Sequence, residues 1–597
     1  YFEHSYLAKY LGYTLVQGND LTVRDGFCYL KTLSGLQRVD VILRRVDDDF
    51  CDPLELYHHS FLGVTGLVEA VRQGNVAVAN ALGSGLAQAP AFLSFLPELC
   101  RKLLGEELKL PSVQTWWCGE ASSRKFVLEN LSRLVIKPAF PTAGSDPQFG
   151  EAMSQEERSA LAERIAAHPQ QYVGQEAALS RTAPVLLEDR VDSRHFVIRA
   201  YATAERDSYS VMSGGLTRVT GLQDARVVSL QRGGGSKDTW ILAEGPVNEV
   251  TLLSTASQPV ELTRGGGELT SRVADDLFWL GRYVQRFEAD VRVARCMFSR
   301  LMDQARLDLL PASNLLAAAL FGMKLPPIEE TRLSELTKRV FDGADSGGLR
   351  TASGHVRNLV RGLRDRVSAD AWRVLLGIER QLADFNTNLE DDQIGQVVEL
   401  FNNLIVDLMA FGGVVAESMT RGQGWRFLDM GSRIERAVAV ARLLRATLGR
   451  TVPAESAVLD ALLEVADSSL TYRRRYLTQL QTHAVVDLLV ADETNPRAVL
   501  FQIAALQDHL SHLPRETTHP HRNPDRQAVM KIHTQLSLVD LRSICQPNNR
   551  GARAGLVSLM NNLISSTEKI SEWISRIYFN HAAVSRSLQG GAEDRSR

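Results

Sequence analysis

The run LVIKPAF at residues 134–140 reads as an apolar strand, and Lys137 interrupts it just before a proline. Behind it lies PTAGSDPQFGEAM, a loop of small residues with two prolines and two glycines. Such a loop can bring backbone N–H groups up to phosphate oxygens, where a lysine ammonium adds a point charge. The P-loop pattern GxxxxGK followed by Ser or Thr is absent. A second apolar strand, QYVGQEAAL, ends on Gln175 and Glu176, whose side chains can hydrogen-bond an adenine or ribose edge. The bland alternative for these residues is a solvated strand end.

Other stretches add charge. VILRRVDDDFCDPLEL carries Arg44 and Arg45, then Asp47, Asp48, Asp49, Asp52 and Glu55. Guanidinium groups suit carboxylate or phosphate, and the acids could hold a metal. For the three consecutive aspartates the preferred reading is a solvated acidic loop paired with its own arginines. NALGSGLA offers Asn80, and Ser84 between two glycines, as a small anion cradle, although short glycine motifs are mostly ordinary turns. RHFVIRAY and MSGGLTRV supply Arg199 and Arg218. Trp116 and Trp117 are assigned to the core. Thirteen histidines form no HExxH, and neither a GxSxG elbow nor a cysteine-based catalytic signature is present. Hydrolases and metalloproteases therefore gain little support, and phosphate binding remains.

The elements that must position these residues change character along the chain. Residues 1 to about 250 mix short β-like runs with turns, including a hairpin at Asp25-Gly26, and predict an α+β region. PVNEVTLLSTASQPVELTRGGGELTS is the best linker, so the expected division is 1–250, a linker at 251–268, a helical domain at 269–588 and a disordered tail at 589–597. From Ser271, just ahead of Asp275 and Asp276, the apolar residues Val273, Leu277, Leu280, Val284, Phe287, Val291, Ala294, Phe298 and Leu301 alternate spacings of four and three. That predicts a long helix packed against another. FLDMGSRIERAVAVARLL repeats the seam, aligning Gly431 with Gly281 and Arg436 with Arg286, so an internal duplication is expected. Arg282, Arg286, Glu288, Arg433, Glu435 and Arg436 form a charged set there. Its preferred reading is structural, with an i,i+4 pair such as Glu288 and Arg292 on a solvated face.

Composition bounds the rest. With 597 residues and 44% hydrophobic content the chain exceeds one ordinary core. Its 67 basic and 70 acidic residues leave a net charge of −3, so any anion site must be local, and nucleic acid is not an expected partner. Six scattered cysteines show no metal or disulfide spacing. Neither a signal peptide nor an unbroken apolar run of about 18 residues is visible, so a cytoplasmic protein without a membrane span is expected.

In order, VDVILRRVDDDFCDPLEL, GNVAVANALGSG, LPSVQTWWCGE, LVIKPAF, YVGQEAALS and MSGGLTRV resemble the C-terminal half of the circularly permuted ATP-grasp proteins of bacteria, type 2. SRVADDLFWLGRYVQR, ESMTRGQGWRFLDMGSRIERA, YRRRY and DETNPRAVLFQI resemble the bacterial alpha-E domain. The resemblance implies a partial, circularly permuted ATP-grasp fold followed by an all-α bundle. It also implies ATP-dependent carboxylate–amine ligation through an acyl phosphate, with ATP and Mg2+ as cofactors. Lys137 would meet the phosphates and Gln175 and Glu176 the base or ribose. Arg44, Arg45, Arg199 and Arg218 would hold phosphate or substrate carboxylate. Carboxylate and amine substrates, and transglutaminase-like partner proteins, are the implied partners. The family's acidic D-x-x-R and E-D-N elements would lie before Tyr1, so the metal ligands are unknown and the metal site is expected to be missing from this chain. In the helical half the family's PRS appears as Pro496-Arg497-Ala498. A catalytically incomplete scaffold whose bundle binds partner proteins is the competing expectation.

Overall fold

The computed structural model describes residues 2–140, 146–178, 181–187, 190–206, 208–221, 234–246, 269–302, 310–321, 332–343, 347–514 and 523–580. The expected linker at 251–268 and tail at 589–597 lie outside these residues. The chain forms two compact units, one from Tyr1–Ala79 with Glu261–Arg597, the other from Asn80–Val260.

After an opening helix at Phe2–Leu11, the first unit forms an antiparallel sheet of β1 (Leu21–Arg24), β2 (Phe27–Thr32) and β3 (Gly35–Arg38). Asp25 at φ 51° and Gly26 at φ 77° make the two-residue hairpin turn that Asp-Gly predicts, since both positions need a left-handed backbone. In β2 burial alternates along the strand, placing Cys28 and Leu30 on the face that meets Leu67 and Ala70 of the short helix Leu67–Arg72. A parallel pair, β4 (Val41–Leu43) and β5 (Ala77–Ala79), completes this part. Among the links that tie it to the helical half are a bridge between Thr32 and Thr270, and the buried Asp20 carboxylate, which accepts from Arg272 Nε at 2.9 and 3.0 Å.

The helical half is built on α3 (Ser271–Met302), which starts at the expected Ser271. Every seam residue from Val273 to Phe298 is buried. Its main partner is α5 (Gln423–Leu448), so the two repeated seams close on each other. Close approach at the crossing requires glycine. A Cβ on Gly281 would lie 2.0 Å from the Leu428 carbonyl oxygen, and one on Gly431 would lie 2.0 Å from that of Phe278. Each glycine meets the carbonyl three positions before the other, the reciprocity a duplication predicts. Helix α4 (Ile394–Ser418) is the one helix among the described residues long and apolar enough to cross a membrane. Its Val397, Phe401, Leu404, Leu408, Phe411 and Val415 are buried in the bundle, at the spacing of a core-facing stripe. The helices α6 (Val499–Ser511) and α7 (Ala554–Ile574) flank α5.

The second unit holds two four-stranded sheets. One has the order β6 (Thr115–Trp117), β9 (Tyr172–Glu176), β7 (Leu134–Pro138), β8 (Gln148–Phe149). The other has the order β10 (Thr182–Leu187), β11 (Arg190–Arg199), β14 (Gly215–Val219), β15 (Gly235–Thr239), with β12 (Ala202–Glu205) and β13 (Ser208–Val211) as a separate hairpin. An α+β region thus precedes an all-helical half, as expected.

Candidate functional site

Strand alternation builds the site in the second unit. Leu134 and Ile136 of β7 pack with Val127 of α1 (Ala121–Glu129) and with Leu161 and Ile165 of α2 (Gln155–Ala167), so the two helices cover one face of the sheet. Successive side chains on a strand point to opposite faces, and Lys137 therefore belongs to the other face. Cross-strand register puts Val173 opposite Lys137, Gln175 opposite Val135, and Thr115 opposite Gln175, so these side chains share that face. Lys137 Nζ donates to Gln175 Oε1 at 2.6 Å. Gln175 Nε2 donates to Thr115 Oγ1 at 3.0 Å, and Thr115 Oγ1 donates to the Val113 carbonyl at 2.9 Å. The chain of bonds fixes the amide so that its oxygen faces the ammonium. Lys137 is half-buried, and burial pushes its pKa below the ordinary lysine value. Its hydrogen-bond partner is neutral, and among the described residues no carboxylate is paired with it.

The structure brings Lys137 and Gln175 together and separates Glu176 from them. Glu176 pairs with Leu134, on the helix-covered side, and lies exposed at the strand end with its N–H given to the Gln114 carbonyl. Thr115 escaped the sequence reading. The signal was present, because alternation through Thr115-Trp116-Trp117 places Thr115 and Trp117 on one face. Both tryptophans are half-buried: Trp116 packs at 4.4 Å from the Phe126 ring, and Trp117 Nε1 donates to the Gln170 carbonyl at 3.1 Å. Residues 141–145 of the expected phosphate loop lie outside the described residues.

Arg199 of β11 and Arg218 of β14 sit at diagonal positions on one face of the second sheet, since Arg218 pairs with Val197 and Arg199 with Leu216. Arg199 is exposed, and Arg218 has a buried Nε with no hydrogen-bond partner. Asn80, at φ 62°, and Gly83, at φ 86°, shape a turn that runs into a 3-10 segment at Ser84–Gln88.

Arg44 and Arg45 belong to the first unit. Arg44 donates to the Val46 carbonyl at 2.7 Å and pairs with Asp48, so the loop takes the internally paired form. Arg45 meets Glu3 at 3.2 Å. Asp52 is fully buried and accepts from the N–H groups of Leu54, Gly66 and Val68, which makes it the anchor of its loop. Among the described residues no group of three or more His, Cys, Asp or Glu could hold a metal ion.

Within the charged set of the helical half Glu288 and Arg292 are enclosed, which corrects the solvated-face reading of that pair. Both are buried and paired at 2.8 Å, because α3 runs through the bundle and has neighbours on both flanks. At the crossing, Arg286 Nε donates to Glu435 Oε1 at 2.6 Å, and Arg436 donates to Gln285 Oε1 at 3.1 and 2.5 Å. Arg282 pairs with Glu435 at 2.9 Å and donates to Ser571 Oγ at 3.0 Å.

An α+β region, with a cation on the sheet face opposite its two helices, is joined to a helical module with a buried Arg–Glu crossing, and the family matches make it an ATP-grasp-like scaffold fused to a helical domain. Residues 1–220 match the family model for circularly permuted ATP-grasp type 2, and residues 269–579 match the Alpha-E model, a predicted alpha-helical domain with a conserved ER motif. Glu435-Arg436 places such a pair at the crossing. An uncharacterized protein of Mycobacterium bovis is 32% identical over 616 residues, covering 99% of this chain and 68% of its own length. One of Synechocystis is 44% identical over 242 residues, 40% of this chain and 50% of its own. One of Mycobacterium leprae is 38% identical over 243 residues, 41% of this chain and 43% of its own. The chain belongs to the family that joins a circularly permuted ATP-grasp type 2 region to an alpha-E domain.

Proposed function

We propose that this chain carries the nucleotide-binding part of an ATP-dependent carboxylate–amine ligase. The supporting observation is the Lys137 ammonium, half-buried on the sheet face opposite the two helices, with a neutral amide as its hydrogen-bond partner among the described residues. Desolvating an ammonium without a counter-charge is unfavourable, and a phosphate group would relieve it. Lys137 would contact the nucleotide phosphates, Gln175 would orient its amine, and Thr115 would hold Gln175. In the reaction the γ-phosphoryl group passes from ATP to a substrate carboxylate, giving an acyl phosphate and ADP. An amine then attacks the acyl carbon, forming the amide and releasing inorganic phosphate. Arg199 and Arg218, on one face of their sheet, suit a substrate carboxylate or the transferring phosphoryl group. The described acids do not fit a magnesium site, because Asp48 is paired with Arg44 and Asp52 with backbone N–H groups.

Calorimetric titration with ATP tests the reading. The unmodified chain is expected to bind, and Lys137→Ala to bind at least about tenfold more weakly, as loss of a hydrogen-bonded charge contact predicts. Equal binding by both folded proteins, or none by either, would sink it.

A further inference from the structure

We propose that the arginine cluster around Glu288 in the helical half is a phosphate-binding site. Three guanidinium groups from three elements converge on one carboxylate. Arg292 of α3 lies 2.8 Å from Glu288 Oε1, Arg497 of the loop before α6 lies 2.9 Å from the same oxygen, and Arg436 of α5 lies 3.7 Å from Oε2. Their side chains are only 5%, 15% and 20% exposed, and Glu288 is 9% exposed. One negative charge among three positive ones leaves a surplus of two in a poorly hydrated place.

The neighbours do not remove that surplus. Asp429 pairs with Arg433 at 3.0 Å and with His509 Nε2 at 2.6 Å. Asp467 faces Arg292 from an exposed position, where water screens it. By contrast Arg282 and Arg286 at the crossing share Glu435, which leaves a smaller surplus of one. Burial and then the charge of Arg497 push the Arg436 pKa down to about 10, the mark of an under-compensated cation.

The site is also built to receive something. Arg292 Nη1, Arg436 Nη1 and Arg497 Nε have no acceptor among the described residues, while Arg292 Nη2 and Arg497 Nη2 reach only the Met409 sulfur, at 3.3 and 3.7 Å. Met409 itself is 47% exposed, so this side opens to solvent. The loop presenting Arg497 is ordered from within. Buried Asn495 donates to the Leu488 carbonyl at 2.9 Å and accepts the Arg497 N–H at 3.1 Å. Planar forks from several directions match phosphate oxygens, and a surplus of two matches a phosphate group of charge about −1.5 to −2 at pH 7.

The test titrates the Lys137→Ala chain with inorganic phosphate at fixed ionic strength, so that Lys137 makes no contribution. A single saturable site is expected. Arg497→Gln and Arg436→Gln in that background are expected to weaken it at least about tenfold, and Glu288→Gln to tighten it. Phosphate is also expected to slow phenylglyoxal modification of Arg497 in the unmutated chain, a readout that needs no substitution to fold. Absence of saturable binding, unchanged affinity in folded Arg497→Gln, or no protection of Arg497 would each overturn the proposal. Acetate bound as tightly as phosphate would overturn the choice of phosphate.

Discussion

Lys137 separates a functional residue from a structural one by what its replacement does to stability. A half-buried ammonium with a neutral partner destabilises the empty chain, so Lys137→Met, which keeps the stem and removes the charge, is expected to raise stability by about 1 kcal/mol while abolishing ATP binding. A lower urea midpoint for Lys137→Met would show that the amine holds the sheet together instead. Asp52 is the opposite case. Its carboxylate closes three backbone donors of its loop, and Asp52→Ala is expected to lower unfolding free energy by at least about 1.5–3 kcal/mol, measured by urea denaturation. Composition could not distinguish the two, since both are single charges beside a proline; the partners decide.

The pairing of α3 with α5 depends on backbone contact at two glycines. Gly281→Ala and Gly431→Ala each place a methyl group against the other helix's carbonyl and are expected to cost about 1–3 kcal/mol. Because both act at one crossing, the double variant should fall short of the sum, and urea midpoints of the three proteins would show it. Additive losses would mean that the two contacts are independent. Asp290 adds a pH-dependent effect on α3. Burial raises its pKa to about 7, Arg286 opposes and Glu435 adds to the rise. A carboxyl raised above its ordinary 3.8 is protonated in the fold and charged in the unfolded chain, so stability falls as pH rises from about 4 through about 7. Asp290→Asn removes that loss, and its advantage in melting temperature is expected at pH 8 and not at pH 4.

At the scale of the molecule, acid sensitivity comes from the bundle. Burial pushes Glu288 and Asp429 up, but Arg497, Arg436 and Arg292 outweigh it at Glu288, and the His509 hydrogen bond and Arg433 outweigh it at Asp429, leaving both at about 2. Carboxyls depressed in the fold contribute stability above their unfolded pKa and lose it as pH falls toward 2. Melting of the helical half, followed by circular dichroism, is therefore expected to shift steeply between about pH 4.5 and pH 2, and less so in Glu288→Gln. The sequence by itself determined the class of each region, the Asp25-Gly26 hairpin, the start of α3 at Ser271 and its repeated seam, because turn chemistry and apolar period are local properties. It also singled out Lys137, whose charge interrupts an apolar strand. Only the tertiary structure decided that the two seams close on each other, that Thr115 and Gln175 support Lys137 while Glu176 turns away, and that Arg292, Arg436 and Arg497 meet at Glu288. Apart from the local pair of Glu288 and Arg292, those groups lie 38 to 209 positions apart in the chain, and packing geometry, which no local pattern encodes, brings them together.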